Sequence, residues 1–128
     1  MTIRQLKLNA NLKHIDLTEG QQFKPEFLKM SPLHTVPVLN DNGLVIWESR
    51  AIIQYLCNQY APDSGLYPSC AKKRALVDFY INIDFCLDDM TKFKEVLQVL
   101  DQLIGDKAYL TGNELTIADL SLLATLST

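Results

Sequence analysis

Three residue groups in the first half of the chain have the types and spacing to act on a small charged ligand: His34, the pair Val36–Pro37, and the run Glu48-Ser49-Arg50. A helix that opens at Glu48 leaves its first-turn N–H groups without intrahelical partners, and these carry the positive end of the helix dipole. Together with the Ser49 hydroxyl they form a cradle for a carboxylate, and Glu48 beside them could take an ammonium group. Pro37 lies inside an apolar run although it has no N–H for a sheet ladder. A cis Val36–Pro37 bond would bend the chain there and leave the Val36 backbone to pair with an extended peptide as an added strand would. His34, just upstream, could bind a second carboxylate. Singly, each residue has an ordinary structural explanation: Glu48 and Ser49 are common helix-start residues, Arg50 a surface ion-pair partner, and His34 a satisfied turn residue. Only their joint arrangement favours a ligand.

The elements that must position these groups follow from the surrounding pattern. Ile3, Leu6 and Ala10 are spaced as the tail of an amphipathic helix, and Leu12 to Leu17 alternates imperfectly as a short strand. Pro25 and Glu26 open a short helical turn that Ser31-Pro32 closes. Val36–Leu39 and Leu44–Ile46 flank Asn40-Asp-Asn-Gly43, where Asn-Gly supplies the positive φ angles of a type I′ hairpin. Glu48–Tyr60 reads as a helix burying Ile52, Tyr55/Leu56 and Tyr60. A turn-rich stretch from Ala61 to Pro68 follows, and from Lys72 onward every element reads as helix. Ala75, Leu76, Phe79, Tyr80 and Ile83 form one expected stripe, and Phe93, Val96, Leu97, Leu100 and Leu103 another. Gly105 ends the second helix. Thr116 and Asp119 are spaced as a capping box for the last one. The expected class is a small α/β domain over residues 1–66 docked on an all-helical domain over residues 67–128.

Composition narrows the function. The 128 residues are 48% hydrophobic with a net charge of −3, and no basic cluster is interleaved with aromatics, which argues against a nucleic-acid surface. The apolar runs fall short of the ~20 residues of a membrane span, and the first residues lack a signal-peptide core, so a cytoplasmic location is expected. Cys57, Cys70 and Cys86 read as free thiols, and neither histidine has a partner at metal-ligand spacing. The ligand implied by the central stretch is a short peptide with a free amino-acid end and a second acid at the other. Glutathione fits that description.

The chain resembles the cytosolic glutathione transferases, and among them the insect delta class. The resemblance rests on Pro25-Glu-Phe-Leu-Lys-Met, Ser31-Pro-Leu-His-Thr-Val-Pro, Asp41-Asn-Gly, Trp47-Glu-Ser-Arg-Ala-Ile, Leu66-Tyr-Pro, Lys72-Lys-Arg-Ala-Leu-Val-Asp78 and Leu115-Thr-Ile-Ala-Asp-Leu120. It implies a thioredoxin-like N-terminal domain followed by an all-α C-terminal domain. It also implies a cis-proline at Pro37 and a backbone partner for the glutathione cysteine at Val36. Glu48 and Ser49 would hold the γ-glutamyl end, with Arg50 close by. His34 would reach toward the glycine carboxylate, and Asp84 would support this polar network. Glutathione is then the co-substrate of an electrophilic small molecule, with no separate cofactor, and a homodimer is expected in part through the helix from Lys72 to Asp84.

Departures from the family pattern are also expected. Residues 1–6 match the later part of the family's first helix, which places its first strand and its catalytic serine upstream of Met1. The chain also looks shortened between Asp84 and Thr91, and lacks the family's closing helices after Thr128. Leu33 and Gln22 replace polar and histidine residues near the glycine end. Transfer chemistry works by stabilising a thiolate, chiefly through a hydrogen bond from a placed hydroxyl, and no convincing substitute hydroxyl is visible here. The expectation is therefore a detoxifying transferase by descent, with weak or absent activity in this form. The alternatives are a non-catalytic glutathione-binding or dimerising relative, or a non-functional truncated product.

Overall fold

The computed structural model describes residues 1–83 and 92–127. The order is α1 (Thr2–Gln5), a 3-10 turn (Gln21–Phe23), α2 (Pro25–Leu28), β1 (Val38–Asp41), β2 (Leu44–Trp47), α3 (Ser49–Tyr60), α4 (Ala71–Ile83), α5 (Phe93–Ile104) and α6 (Ile117–Leu126).

The hairpin forms where the Asn-Gly signal places it. Asn42 and Gly43 have φ of 52° and 96°, the positive angles a type I′ turn demands. β1 and β2 pair antiparallel from Asp41↔Leu44 outward to Val38↔Trp47. The first strand starts two residues later than its apolar run does, because Pro37 has no N–H to donate. Two tyrosines from α3 clamp the turn end: Tyr55 donates to Asp41 Oδ2 at 2.8 Å, and Tyr60 donates to the same oxygen. These bonds hold the Asp41 carboxyl below its ordinary value and push the Tyr55 phenol up to about 12.

The strand expected over Leu12–Leu17 is not formed. A strand needs a neighbour for its backbone groups, and among the described residues none pairs with this segment. Leu12 and Leu17 are 73% and 49% exposed. The chain instead closes into a compact turn. Asp16 accepts from the Thr18 N–H, the Thr18 hydroxyl and the Glu19 N–H at 2.7–3.2 Å, and its own N–H donates to Gln21 Oε1 at 3.0 Å.

The main core gathers Cys57 of α3, Leu66 and Tyr67 of the connection, Val77, Tyr80 and Ile81 of α4, Leu100 of α5, Leu110, and Ile117 and Ala118 of α6. Of the stripe expected on α4, Tyr80 is buried and Ile83 packs against the core, but the rest is out of phase. Val77, Tyr80 and Ile81 face this core, whereas Leu76 and Phe79 are 45% and 50% exposed. Helical spacing fits both faces of α4, and packing against α6 selects the first. The stripe on α5 packs as expected.

Polar ties fix the helices to one another. Asp78 Oδ1 accepts from Gln54 of α3 and from the Tyr67 hydroxyl, each at 2.9 Å. Burial, followed by that bond, pushes the Tyr67 phenol up to about 12. Arg74 stacks 4.3 Å over the Tyr67 ring and donates to Pro68 O at 2.7 Å. The capping box is present: Thr116 and Asp119 satisfy each other's backbone at the start of α6, and Asp119 Oδ1 also accepts from the Leu110 N–H at 2.8 Å. Ile117 N–H donates to Leu66 O at 3.0 Å, joining α6 to the connection after α3.

Candidate functional site

Register brings the candidate residues together. Val38↔Trp47 is the last pair of the ladder, so Val36–Pro37 and Glu48–Ser49 continue outward from its two strands at the same end. Paired residues in such a ladder lie roughly 4.5–5.5 Å apart, so Pro37 and Glu48 leave the sheet from neighbouring positions. The Val36–Pro37 bond is cis, and Val36 is 42% exposed.

Glu48 makes the passage from strand to helix in a single residue. Its φ is 82°, in the region that disfavours a side chain, and its carbonyl already accepts from Ile52 N at 3.0 Å. Such a backbone costs on the order of 1–3 kcal/mol and persists where the surroundings impose it, often at ligand sites. α3 begins at Ser49 with no side-chain cap on its first N–H groups. Both Glu48 and Ser49 are exposed. The end of the hairpin therefore offers a helix start without a side-chain cap among the described residues, a hydroxyl, a carboxylate and an exposed residue before a cis-proline. That set matches the charges of an α-amino acid joined to a peptide.

His34 stands on the approach to this end. Its φ is 50°, and its N–H donates to Ser31 O at 2.9 Å. Ser31 is fully buried, its hydroxyl accepting from Thr35 N at 3.2 Å and sharing a hydrogen bond with Thr35 Oγ1 at 3.3 Å. That pair uses one of the two hydroxyl protons; Ser31 is buried and Thr35 is exposed. The Phe23 ring lies 4.9 Å from the His34 imidazole, tilted by 47°.

The N-terminal-domain signature of the glutathione S-transferases matches residues 1–58, and their C-terminal-domain signature matches residues 85–127. Glutathione S-transferase D7 of Drosophila melanogaster is 39% identical over all of this chain and 67% of its own length. The chain belongs to the glutathione S-transferase family. Among solved transferases, a delta-class enzyme of Nilaparvata lugens superposes with a TM-score of 0.89 at 35% identity, over 98% of this chain and 69% of that one. A homologue from Drosophila mojavensis with bound glutathione superposes with 0.92 at 31% identity, over 98% and 68%. The fold is the transferase fold, a thioredoxin-like N-terminal part with a small antiparallel sheet followed by a helical C-terminal part. The chain spans about two thirds of the length of these relatives.

Within this transferase fold, Arg50 reaches toward the second half of the molecule: its Nε donates to Ile81 O on α4 at 3.0 Å. Asp84 lies outside the described residues, as do Cys86 and the shortening expected between Asp84 and Thr91. Gln22 Oε1 is buried without a hydrogen-bond partner among the described residues. The contact of Phe23 with His34 was not visible from spacing, because it joins two loops with no periodicity in common. Among the described residues no group of three His, Cys, Asp or Glu could hold a metal, and no helix is long and apolar enough to cross a membrane.

Proposed function

We propose that this chain binds glutathione along the open end of the β1–β2 hairpin, as a transferase relative whose own 128 residues conjugate weakly or not at all. The observation that supports the reading is the end pair Val38↔Trp47, from which Pro37 and Glu48 continue. Val36 pairs its backbone with the cysteinyl residue. The uncapped start of α3 and the Ser49 hydroxyl take the γ-glutamyl carboxylate, and Glu48 takes the ammonium. His34 takes the glycine carboxylate. Arg50, with its Nε on Ile81, stands behind the glutamyl end.

Conjugation needs a hydroxyl that donates to the glutathione sulfur and so favours the thiolate. Ser31 is buried and bonded to Thr35, both lie on the wrong side of the cis-proline by resemblance to the family, and Ser49 is committed to the glutamyl end. This favours binding over turnover with an electrophilic small molecule. The same reading divides the chain at residues 66 and 67, places it in the cytoplasm, requires no separate cofactor, and gives the exposed Leu76 and Phe79 of α4 to a second copy in a homodimer.

Calorimetric titration of the chain with glutathione tests it, together with retention on immobilised glutathione. Saturable binding that Ser49→Ala weakens is the expected result, and absence of binding by a cooperatively folded chain sinks the proposal. Conjugation of glutathione to an aromatic halide at the rate of the free solution is expected in the same samples.

A further inference from the structure

The geometry points to Phe23 as a positioning residue for His34: its ring packs in a tilted pair against the imidazole and fixes the direction from which that ring meets a peptide carboxylate. The inference rests on the proposed glutathione site and adds a determinant to its glycine end.

Both sides of the contact are built. On the Phe23 side, Gly20 adopts a φ of 66° and passes 3.7 Å from Phe23 Cδ2, measured from where a Cβ would stand. Phe23 N–H donates to Gly20 O at 3.0 Å and Lys24 N–H to Gln21 O at 3.2 Å, which closes the 3-10 turn carrying the ring. The turn is tied back to Asp16 through Gln21 N–H to Asp16 O at 3.1 Å and through the Asp16–Gln21 side-chain bond. On the His34 side, the backbone is held at positive φ by the bond to Ser31 O, and Ser31 is fully buried. The two rings meet at 4.9 Å with their planes 47° apart, within the range of favourable ring pairs.

Phe23 is 56% exposed, so its burial alone does not account for its placement. An exposed imidazole on a loop loses rotamer freedom when a ligand immobilises it. A ring packed against it removes part of that freedom beforehand, and the exposed imidazole keeps nitrogen for the carboxylate. The consequence is selective. It strengthens the hold on a peptide that carries the C-terminal glycine and does nothing for one that lacks it.

The test compares glutathione with γ-glutamylcysteine by calorimetric titration of the full chain. Phe23→Ala is expected to weaken glutathione about three- to tenfold, the range of a ring-pair contribution. It should leave γ-glutamylcysteine unchanged, and Phe23→Trp should restore the affinity. In a His34→Ala background the Phe23 substitution should have no further effect. Equal weakening of both peptides, or an undiminished effect without His34, overturns the inference. The contact is also read in the free protein: the His34 ring protons should move on Phe23→Ala, and the only other histidine, His14, serves as the control. If those protons do not move, the positioning role is wrong. If they move but the unsubstituted chain binds neither peptide, the glutathione reading fails and the inference falls with it.

Discussion

Helix α3 runs between two unlike surroundings. At its start, Glu48 and Ser49 are exposed, the backbone is turned at positive φ, and no side chain caps the helix. Farther along, Leu56 and Cys57 are 4% and 1% exposed, Gln54 is bonded to Asp78, and Tyr55 and Tyr60 clamp Asp41. One end has no side-chain cap among the described residues, while the other closes a core with α4 and α6. On the proposed reading, stability and ligand recognition are thereby separated along 12 residues. Substitutions at the two ends should fail in different ways.

The sharpest test of the core end is Ile117→Ala, since Ile117 has no exposed surface. A loss of about 2–5 kcal/mol in a denaturant titration is expected from the cavity and the lost burial. A change under 1 kcal/mol would mean that α6 does not share the core reached by α3. Asp78→Ala comes next. It removes one oxygen that serves both Gln54 and Tyr67, and the expected cost is about 1–3 kcal/mol. Thermal unfolding at neutral pH would read it, with glutathione affinity unchanged.

Ser49→Ala should do the reverse. Glutathione affinity should fall about tenfold while the unfolding midpoint stays within a degree or two, because the hydroxyl sits at an uncapped helix start. Equal losses of affinity and stability would erase the contrast between the two ends.

The smallest effect concerns acid. Tyr60 and Tyr55 lower the Asp41 carboxyl in the fold, so its contribution is present above the ordinary value of 3.8 and is lost as pH falls through the lower folded value. Melting curves of the native chain should therefore drop more between pH 5 and about 3 than those of Asp41→Asn. Parallel curves would show that the clamp adds nothing to the hairpin.

What could be read in the sequence was local. Asn42-Gly43 names its own turn, Thr116 and Asp119 name their own cap, and Gly105 ends its helix at a φ of 51°. Each of these is decided within about four residues. Val36, Pro37, Glu48 and Ser49 were legible as a group for the same reason, since a two-residue turn fixes the register that joins them. What required the fold was non-local. Helical spacing could not choose between the two faces of α4, because the choice is made by α6. Strand alternation at Leu12–Leu17 could not supply a partner strand. The Phe23–His34 contact and the Asp41 clamp join segments whose own patterns do not mention each other.

The bond from Ile117 N–H to Leu66 O also sets an order of events during folding. It closes a loop of about 50 residues that carries α4 and α5, and holding the ends of such a loop costs on the order of 3–4 kcal/mol in chain entropy. Helices form in microseconds or less, whereas contacts between distant residues come at the cost of that closure. The hairpin end, whose pairing spans only ten residues from Val38 to Trp47, can organise early. The core beneath it must wait for α6 to return.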